Sequence, residues 1–443
     1  MSAIVTRFAP SPTGYLHAGN YRTAVFAYLF AKHESGSFIV RIEDTDAARS
    51  KKEYEDNIID ALTWLALPAD TLFRQSEHRA RHRELLEKLI AEGKAYVSKE
   101  VPQNPGDREE VIRFKNPGGS VSFNDVILGE ITSPVEDLKD FIIARSLDEP
   151  VFHFAVAVDD ADEGVTHVIR GGDHISNTAR QILILRAFGF PIPLYAHLPL
   201  IMDASHKKLG KRTGAKPVTE YRDEGILPEA MLNYLSFLGW NPGDEREYLS
   251  REELVKAFDL ARVQKGSAVF DEVKLLSVNQ YWMRTLSADE FITRAELPPL
   301  DSRMLRKAVP LLQERARTFK EARDLLSGEL ACLFEAPKLE KERLIAKELP
   351  GQPGMTETGL KVASEAIKGI PPDAPSSAIK QLLMPLADAE EAKRKGGRGA
   401  LLWPLRYALS GQERSPDPFT LISILGVEES LSRIQKAIAI LEG

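Results

Sequence analysis

The chain has 443 residues, of which 43% are hydrophobic and 28% charged, so it has an ordinary globular composition and a length that predicts two to four structural modules. Its single cysteine, Cys332, excludes an internal disulfide framework and argues against a cysteine-based zinc site, and the absence of long apolar runs and of a basic–apolar leader predicts a cytoplasmic protein with no membrane span. The formal net charge of −7 argues mildly against a nucleic-acid partner, although local patches of Lys and Arg decide phosphate binding.

Residues 1–77 alternate strand and helix signals. The pattern predicts a strand at Ile4–Phe8, a helix from Leu16 to about His33, a strand at Phe38–Ile42 and a helix from about Ser50 to Leu65. Strand, helix and strand at this spacing indicate a parallel α/β unit.

The pattern changes at residues 78–150, where short strands and turns predict an α+β insertion in the sheet. The α/β pattern resumes at residues 151–213, with Val151–Val158, Thr166–Ile169 and Leu194–Ile201, and ends in a Lys-rich loop. From Leu227 onward the chain is predicted to be almost wholly helical, and turns divide it into segments 214–295 and 296–443.

Two motifs carry candidate chemistry. In the first, Ala9–Asn20, a strand enters a Pro/Gly turn, and His17 and Gly19 lie where a helix begins. Helix N-termini attract phosphate, Gly19 permits close approach, and His17 can donate to a phosphate oxygen. A plain capping turn with a surface histidine explains this motif equally well when it is taken alone.

The second motif, Lys207–Arg212, holds four cationic side chains in six residues. Such a cluster suits a leaving pyrophosphate, although a lone run of charge is more commonly a solvated loop.

Together the motifs resemble a known family. His17-Ala18-Gly19-Asn20 is similar to the HIGH signature of class I aminoacyl-tRNA synthetases, and Lys208-Leu209-Gly210-Lys211-Arg212 is similar to their KMSKS signature. Further segments resemble the bacterial glutamyl branch of that class and extend the likeness over nearly the whole chain; they are Arg7–Gly14, Arg41–Asp46, Thr166–Gly171, Leu227–Tyr234, Ser267–Asp271 and Pro404–Gly411.

The resemblance implies a Rossmann-like parallel-sheet catalytic domain with an acceptor-end-binding insertion, a stem-contact region and a helical anticodon-binding domain. It implies that L-glutamate reacts with MgATP to form glutamyl-adenylate, that tRNA(Glu) then receives the glutamyl group, and that the enzyme is a monomer. The single cysteine predicts that it works without zinc. His17, Lys208 and Lys211 are the implied catalytic residues. The implied ATP-binding set is His17, Gly19, Asn20, Lys208, Leu209, Gly210, Lys211 and Arg212.

Glutamate carries two carboxylates and one ammonium, so its site should offer two cations and one anion. The resemblance implies that Arg7 binds the side-chain carboxylate, Arg170 the α-carboxylate and Glu43 the ammonium, with Ser11 assisting from the turn. The alternative is that Arg7 and Glu43 simply pair across adjacent strands.

Other charged residues allow several roles. Asp44 and Asp46 could orient an arginine, cap a helix or touch tRNA, and a supporting role is favoured. Asp159-Asp160 could be a metal pair, a helix cap or a tRNA contact. Two basic clusters are candidate RNA contacts or solvated faces: Arg74–Arg83, and Lys393–Lys395 with Arg394, Arg398, Arg406 and the nearby Trp403.

Three departures from the family pattern stand out. Gly210 replaces the usual Ser, Phe152 replaces a frequent substrate-contacting Tyr, and the insertion lacks the cysteines by which some relatives bind zinc. His153 or a water could substitute for the missing hydroxyl. The alternative functions are an enzyme that charges tRNA(Gln) with glutamate and a catalytically silent tRNA-binding homologue.

Overall fold

The computed structural model describes residues 3–101, 109–210, 215–345, 352–394 and 398–443, with only the backbone described at 390–394. The chain forms two compact units, one ending at Asn279 and the other beginning at Gln280. This division falls inside the helix Glu272–Thr285, whereas the sequence placed its last boundary between residues 295 and 296. The finer division of the chain into five segments stays a prediction.

The first unit is built on a seven-stranded sheet. Its strands are β1 (Val5–Phe8), β2 (Ser37–Ile42), β3 (Thr71–Arg74), β6 (Ser120–Asp125), β7 (Gly129–Pro134), β10 (His167–Gly171) and β11 (Leu194–Leu198), in the order β3-β2-β1-β10-β11-β6-β7. All neighbours from β3 to β6 are parallel, and only the hairpin β6–β7 is antiparallel. The central strands are largely buried, and several buried positions on them are polar or charged, among them Thr6, Arg41 and Arg170.

Helices connect and cover these strands. They are α1 (Ala18–His33), α2 (Lys52–Trp64), α3 (Arg79–Ala91), α4 (Phe152–Asp162) and α5 (Ile175–Phe188). The Thr6 hydroxyl donates to the Ala27 carbonyl at 2.9 Å and fastens α1 onto β1. Because α1 follows β1 directly, its N-terminus lies at the carboxyl edge of the sheet, where parallel sheets bind ligands.

The predicted insertion divides between two sheets. Four of its six described strands form an antiparallel sheet in the order β4-β5-β8-β9, with β4 at Ala95–Lys99, β5 at Glu110–Phe114, β8 at Phe141–Ser146 and β9 at Glu149–Pro150. The hairpin β6–β7 instead extends the large sheet, with Asp125 paired to Tyr195. The buried Asp125 carboxylate accepts from the His197 backbone N–H at 3.0 Å and lies 2.7 Å from its Nδ1, which anchors the hairpin.

The rest of the first unit is mainly helical. A short parallel pair, β12 (Ile201–Met202) and β13 (Ala268–Val269), accompanies α6 (Val218–Asp223), α7 (Pro228–Ser236), α8 (Arg251–Ala257) and the start of α9 (Glu272–Thr285).

In the second unit, the described regular structure after α9 is α-helical, apart from a 3₁₀ turn at Ala331–Leu333 that carries the buried Cys332. Its helices are α10 (Ala288–Arg294), α11 (Ser302–Arg315), α12 (Phe319–Ser327), α13 (Lys341–Leu344), α14 (Pro353–Lys368), α15 (Ser376–Arg394), α16 (Gly399–Ser410), α17 (Pro418–Leu425) and α18 (Val427–Glu442).

The predicted fold class is confirmed: a parallel α/β sheet with an α+β insertion precedes a helical region. One segment differs in detail, since Val151–Val158, grouped with the resuming α/β pattern, lies almost entirely in α4. Within the described ranges, no helix combines the length and apolarity that a membrane crossing requires.

Candidate active site

A cleft of about 390 Å³ lies at the carboxyl ends of β1, β2 and β10. Arg7 reaches it from β1, Glu43 from the end of β2 and Arg170 from β10. The other described residues of the predicted site that line it are Ser11, His17, Gly19, Asn20, Phe152, Lys208 and Leu209. The sheet thus collects residues that are far apart in sequence.

His17 is the N-cap of α1, and a reciprocal pair of hydrogen bonds fixes it. Its Nδ1 accepts from the Gly19 backbone N–H at 3.1 Å, and its own backbone N–H donates to Asn20 Oδ1 at 3.1 Å. A Cβ at position 19 would lie 2.9 Å from His17 Cε1. A side chain at position 19 would therefore force the imidazole to move. The N-terminus of α1 faces the cleft, because His17, Gly19 and Asn20 all line it.

The loop with the second motif begins beside this turn. Lys208 pairs with Met202 in a β-bridge, and its ammonium lies 2.9 Å from an Asp173 carboxylate oxygen. Gly210 has open space, because a Cβ there would meet no described atom within 4 Å. Lys211 and Arg212 lie outside the described residues. The described residues resume at 215, and Pro217 forms a β-bridge with His17. His17 and Lys208 also line the same cleft, so the two motifs lie close together.

Arg7 is held from behind by a buried carboxylate. Its Nε donates to Asp160 Oδ1 at 3.1 Å, and its Nη1 donates to the Ile169 carbonyl at 3.5 Å. The same Asp160 oxygen lies 2.8 Å from Nη2 of the fully buried Arg41. Burial alone would raise the pKa of Asp160, but Arg7 and Arg41 hold it below its usual value. Arg7 pairs with Asp160 and not, as the alternative had it, with Glu43.

Arg170 is buried and oriented by side chains behind it. Its Nε lies 3.1 Å from His197 Nε2, and its Nη2 donates to Thr178 Oγ1 at 2.8 Å. Its Nη1 is buried and has no hydrogen-bond partner among the described residues. Burial lowers the pKa of Arg170 to about 10, so it remains a cation at neutral pH. An unpartnered buried guanidinium N–H at a cleft is a donor awaiting an acceptor.

Glu43 is the anionic group of the cleft. It is buried, and Arg41 Nη2 donates to its Oε1 at 3.3 Å. Burial raises the pKa of Glu43 to about 7, against the opposing effect of Arg41 and Arg7. Asp160 and Asp159 add to the rise because they are also negative. Glu43 therefore titrates close to neutral pH.

The two adjacent aspartates of α4 face different partners. Asp160 binds Arg7 and Arg41, whereas Asp159 accepts from Gln75 Nε2 at 2.7 Å and lies 2.7 Å from His82 Nε2. They therefore do not form a shared metal pair.

Two earlier acidic residues have local, supporting roles. Asp44 accepts from the Ser76 backbone N–H at 2.8 Å, and Asp46 pairs with Arg49 at 2.6 Å.

Phe152 lies at the edge of the cleft, 37% exposed, with its ring centroid 5.4 Å from that of His174. His153 does not replace a hydroxyl there, because its Nε2 lies 2.8 Å from the Ile142 carbonyl on the side of the insertion. Burial lowers the pKa of His153 to about 4, so it is neutral.

The first basic cluster is largely neutralised. Arg74 pairs with Glu55 and Glu77, Arg81 with Asp162 and Arg83 with Asp148, and His82 is buried. Arginines already held by carboxylates are poorer phosphate ligands, so this cluster fits the solvated-face alternative better.

The second cluster lies in the second unit. Arg398 pairs with Asp388, and Arg406 donates to the Glu413 carbonyl at 2.8 Å with its guanidinium 4.8 Å from the Trp403 ring centre. The Arg394 side chain lies outside the described residues. An arginine stacked on a tryptophan is a suitable platform for a base.

Sequence reasoning missed two residues of the cleft. Arg22, buried in α1, donates to the carbonyls of Leu238 and Pro199 and ties the strand before the loop to α1. Asp173 pairs with Lys208. A charged residue on the buried face of a predicted helix could have revealed Arg22, but no local pattern signals Asp173.

Two family models match almost the whole chain. A family model described as the catalytic domain of class I tRNA synthetases (E and Q) matches residues 3–110 and 99–277. A second, described as an anticodon binding domain, matches residues 278–438.

The chain is 39% identical to the glutamate–tRNA ligase of Aquifex aeolicus (strain VF5), covering 99% of both chains. It is 38% identical to that of Geobacter sulfurreducens over 100% of both. Among solved structures, the glutamate tRNA ligase of Elizabethkingia meningosepticum CCUG26117 in complex with its amino acid matches with a TM-score of 0.84, 30% identity and 99% of both chains covered. The enzyme of Elizabethkingia anophelis matches at 0.81 with 31% identity, covering 99% of this chain and 100% of that one.

The buried ion network predicts the effect of removing its shared carboxylate. We expect Asp160→Asn to lower the free energy of unfolding by about 3–5 kcal/mol, because two buried guanidiniums lose their common counter-ion. Asp162→Asn, on the same helix but half-exposed beside Arg81, should cost about 1 kcal/mol or less. Urea denaturation followed by circular dichroism measures both. Equal losses in the two variants would show that the network does not stabilise the fold.

Proposed function

Because this chain belongs to the glutamate–tRNA ligases, within the class I aminoacyl-tRNA synthetases, we propose that its cleft binds glutamate beside MgATP, forms glutamyl-adenylate and passes the glutamyl group to tRNA(Glu). One observation carries the residue assignment. Two buried guanidiniums and one buried carboxylate line the same cleft as the N-terminus of α1 and Lys208.

The charges of the cleft complement those of glutamate. Arg7 binds the side-chain carboxylate, Arg170 the α-carboxylate through its unpartnered Nη1, and Glu43 the ammonium. Because Asp160 and His197 hold the two arginines from behind, both guanidiniums are already oriented before glutamate arrives. Pre-orientation lowers the entropic cost of binding. Ser11 and Phe152 complete the walls.

ATP binds along the turn that begins α1. The backbone at Gly19 and Asn20 admits phosphate, and His17 donates to a phosphate oxygen as charge develops. Leu209 and Gly210 contact the nucleotide. The cationic side chains of Lys208, Lys211 and Arg212 stabilise the departing pyrophosphate. Lys208 must exchange Asp173 for phosphate when ATP enters.

The first reaction step needs no general base from the protein. The α-carboxylate of glutamate attacks the α-phosphorus of ATP, a new P–O bond forms, and the bond to pyrophosphate breaks. The terminal ribose hydroxyl of tRNA then attacks the adenylate carbonyl and AMP leaves. Positioning and charge stabilisation supply the rate enhancement.

The remaining features follow the family. The helical second unit, with the Arg398 and Arg406 cluster and Arg394, contacts the anticodon stem-loop. The enzyme is a cytoplasmic monomer. It works without zinc, because its single cysteine is buried in that unit and cannot form a cysteine-based zinc site.

The amino-acid assignment predicts the behaviour of Arg7 variants. We expect Arg7→Leu to abolish glutamate-dependent ATP–pyrophosphate exchange. Arg7→Lys should keep the pairing with Asp160 but lose the planar fork, and should reduce kcat/KM for glutamate roughly 10- to 100-fold, the value of a charge-assisted hydrogen bond. Circular dichroism checks the fold.

The same exchange assay, run with glutamine in place of glutamate, tests selectivity. The wild type should strongly prefer glutamate, because the glutamine amide N–H groups would oppose a donor-only guanidinium. If Arg7→Leu still catalysed efficient exchange, a cation other than Arg7 would bind the side-chain carboxylate of glutamate. A wild type without exchange would support the silent homologue.

The raised pKa of Glu43 predicts that glutamate activation depends on pH. Its pKa of about 7 means that the carboxylate form, which binds the ammonium, is the minority below pH 7 and the majority above it. We expect kcat/KM for glutamate to rise about tenfold from pH 6 to pH 8, following the ionised fraction. Glu43→Gln should lower activity and flatten the profile. A wild-type profile that falls with pH would remove Glu43 from the ammonium site.

The tRNA partner is tested by aminoacylation with purified tRNAs. We expect rapid charging of tRNA(Glu) with glutamate and no charging of tRNA(Gln). Charging of both at similar kcat/KM would favour the alternative function, and would leave the proposed chemistry of the cleft unchanged.

A further inference from the structure

A second cluster of ionisable residues lies behind the cleft, where a 3₁₀ turn after β3 packs on α4. A ring nitrogen of His78 and one carboxylate oxygen each from Asp159 and Glu163 all lie within 4.8 Å of one another. His78 Nδ1 and Asp159 Oδ1 lie 3.3 Å apart. The three residues, called here the His78 cluster, have no part in the proposed ligation of glutamate.

Neighbouring side chains hold the His78 cluster in place. Gln75 Nε2 donates to Asp159 Oδ2 at 2.7 Å, and the buried His82 lies 2.7 Å from Asp159 Oδ1. The His78 ring stacks on Phe73, with centroids 4.9 Å apart and planes inclined by 7°. Such outer contacts orient ligands in metal sites. His78 is 31% exposed at its side chain, which leaves a route to solvent.

Glu163 has an acceptor that nothing in the described chain satisfies. Its Oε2 accepts from Arg41 Nη1 at 3.2 Å, whereas its Oε1 is buried and has no hydrogen-bond partner among the described residues. Its side chain is only 9% exposed. A buried carboxylate oxygen without a donor is costly, and a cation is the natural partner for it.

The charges around Arg41 also do not balance. Two buried guanidiniums, Arg7 and Arg41, face four carboxylates, those of Glu43, Asp159, Asp160 and Glu163. Carboxylates therefore outnumber guanidiniums in this buried region, which favours an added cation.

We propose that the His78 cluster binds one Mn²⁺ ion, which joins the turn after β3 to α4. Two carboxylates favour a hard divalent ion, and Mn²⁺ also accepts an imidazole nitrogen as a ligand. Mg²⁺ fits less well, because it prefers oxygen ligands and gives up its bound water reluctantly. Water completes the coordination on the exposed side of His78. The ion has a structural role beside the carboxylate that holds Arg7.

The test uses the full chain without nucleotide, glutamate or tRNA, so it does not depend on the proposed function. Isothermal titration calorimetry and the loss of the free Mn²⁺ EPR signal measure binding at pH 7.5, and thermal unfolding is recorded with and without Mn²⁺. Wild type should bind one equivalent, and the midpoint of its thermal unfolding should rise with the ion.

Two variants and one control identify the ligands. Glu163→Gln removes an anionic ligand, and His78→Gln removes a ligand that is half-exposed and does not contact Arg41, so it should leave the fold intact. Each should weaken Mn²⁺ binding at least tenfold and abolish the stabilisation. Glu77→Gln, the exposed neighbour that pairs with Arg74, should bind as wild type. No Mn²⁺ uptake by wild type, as when a shared proton balances the charge, would overturn the proposal. So would equal affinity in His78→Gln.

Discussion

The carboxylate of Asp160 serves two guanidiniums at once, inside a region with almost no exposure to water. Arg7 and Arg41 come from neighbouring parallel strands, and Asp160 comes from a helix more than a hundred residues later. A buried charge without a partner is strongly destabilising. The helix and both strands must therefore pack in the arrangement that brings Asp160 against both arginines. Arg7 can then present the rest of its guanidinium to the cleft from a fixed position.

The distribution of charge explains how an acidic chain carries a cleft suited to anions. Many exposed arginines and lysines are paired with nearby carboxylates, as Arg74, Arg81 and Arg83 are. Arg7 and Arg170, which line the cleft, are instead buried at strand ends, where few solvent molecules screen them. Net charge therefore says little about what the cleft binds, and the position of each charge in the fold says much more.

Local sequence determined much of this arrangement, and long-range packing determined the rest. The strands β1 and β2, the helix that His17 caps and the placement of Arg7, Glu43 and Arg170 at strand ends were all predictable, because each depends on a periodic pattern or a turn. The hairpin β6–β7 was not, since its place in the large sheet depends on Asp125 meeting His197 across the chain. The divergence of Asp159 and Asp160, and the pairing of Asp173 with Lys208, likewise need partners that no short segment contains.

The single cysteine has a practical consequence. Cys332 is buried, and burial raises the pKa of its thiol to about 11, so little thiolate forms at neutral pH and the native chain should resist alkylation while folded. A cysteine introduced at Gly210, where a Cβ has open space, would then be the one readily modified thiol. A fluorophore attached there would report changes in the surroundings of residue 210 when ATP binds, and no other cysteine would have to be replaced first.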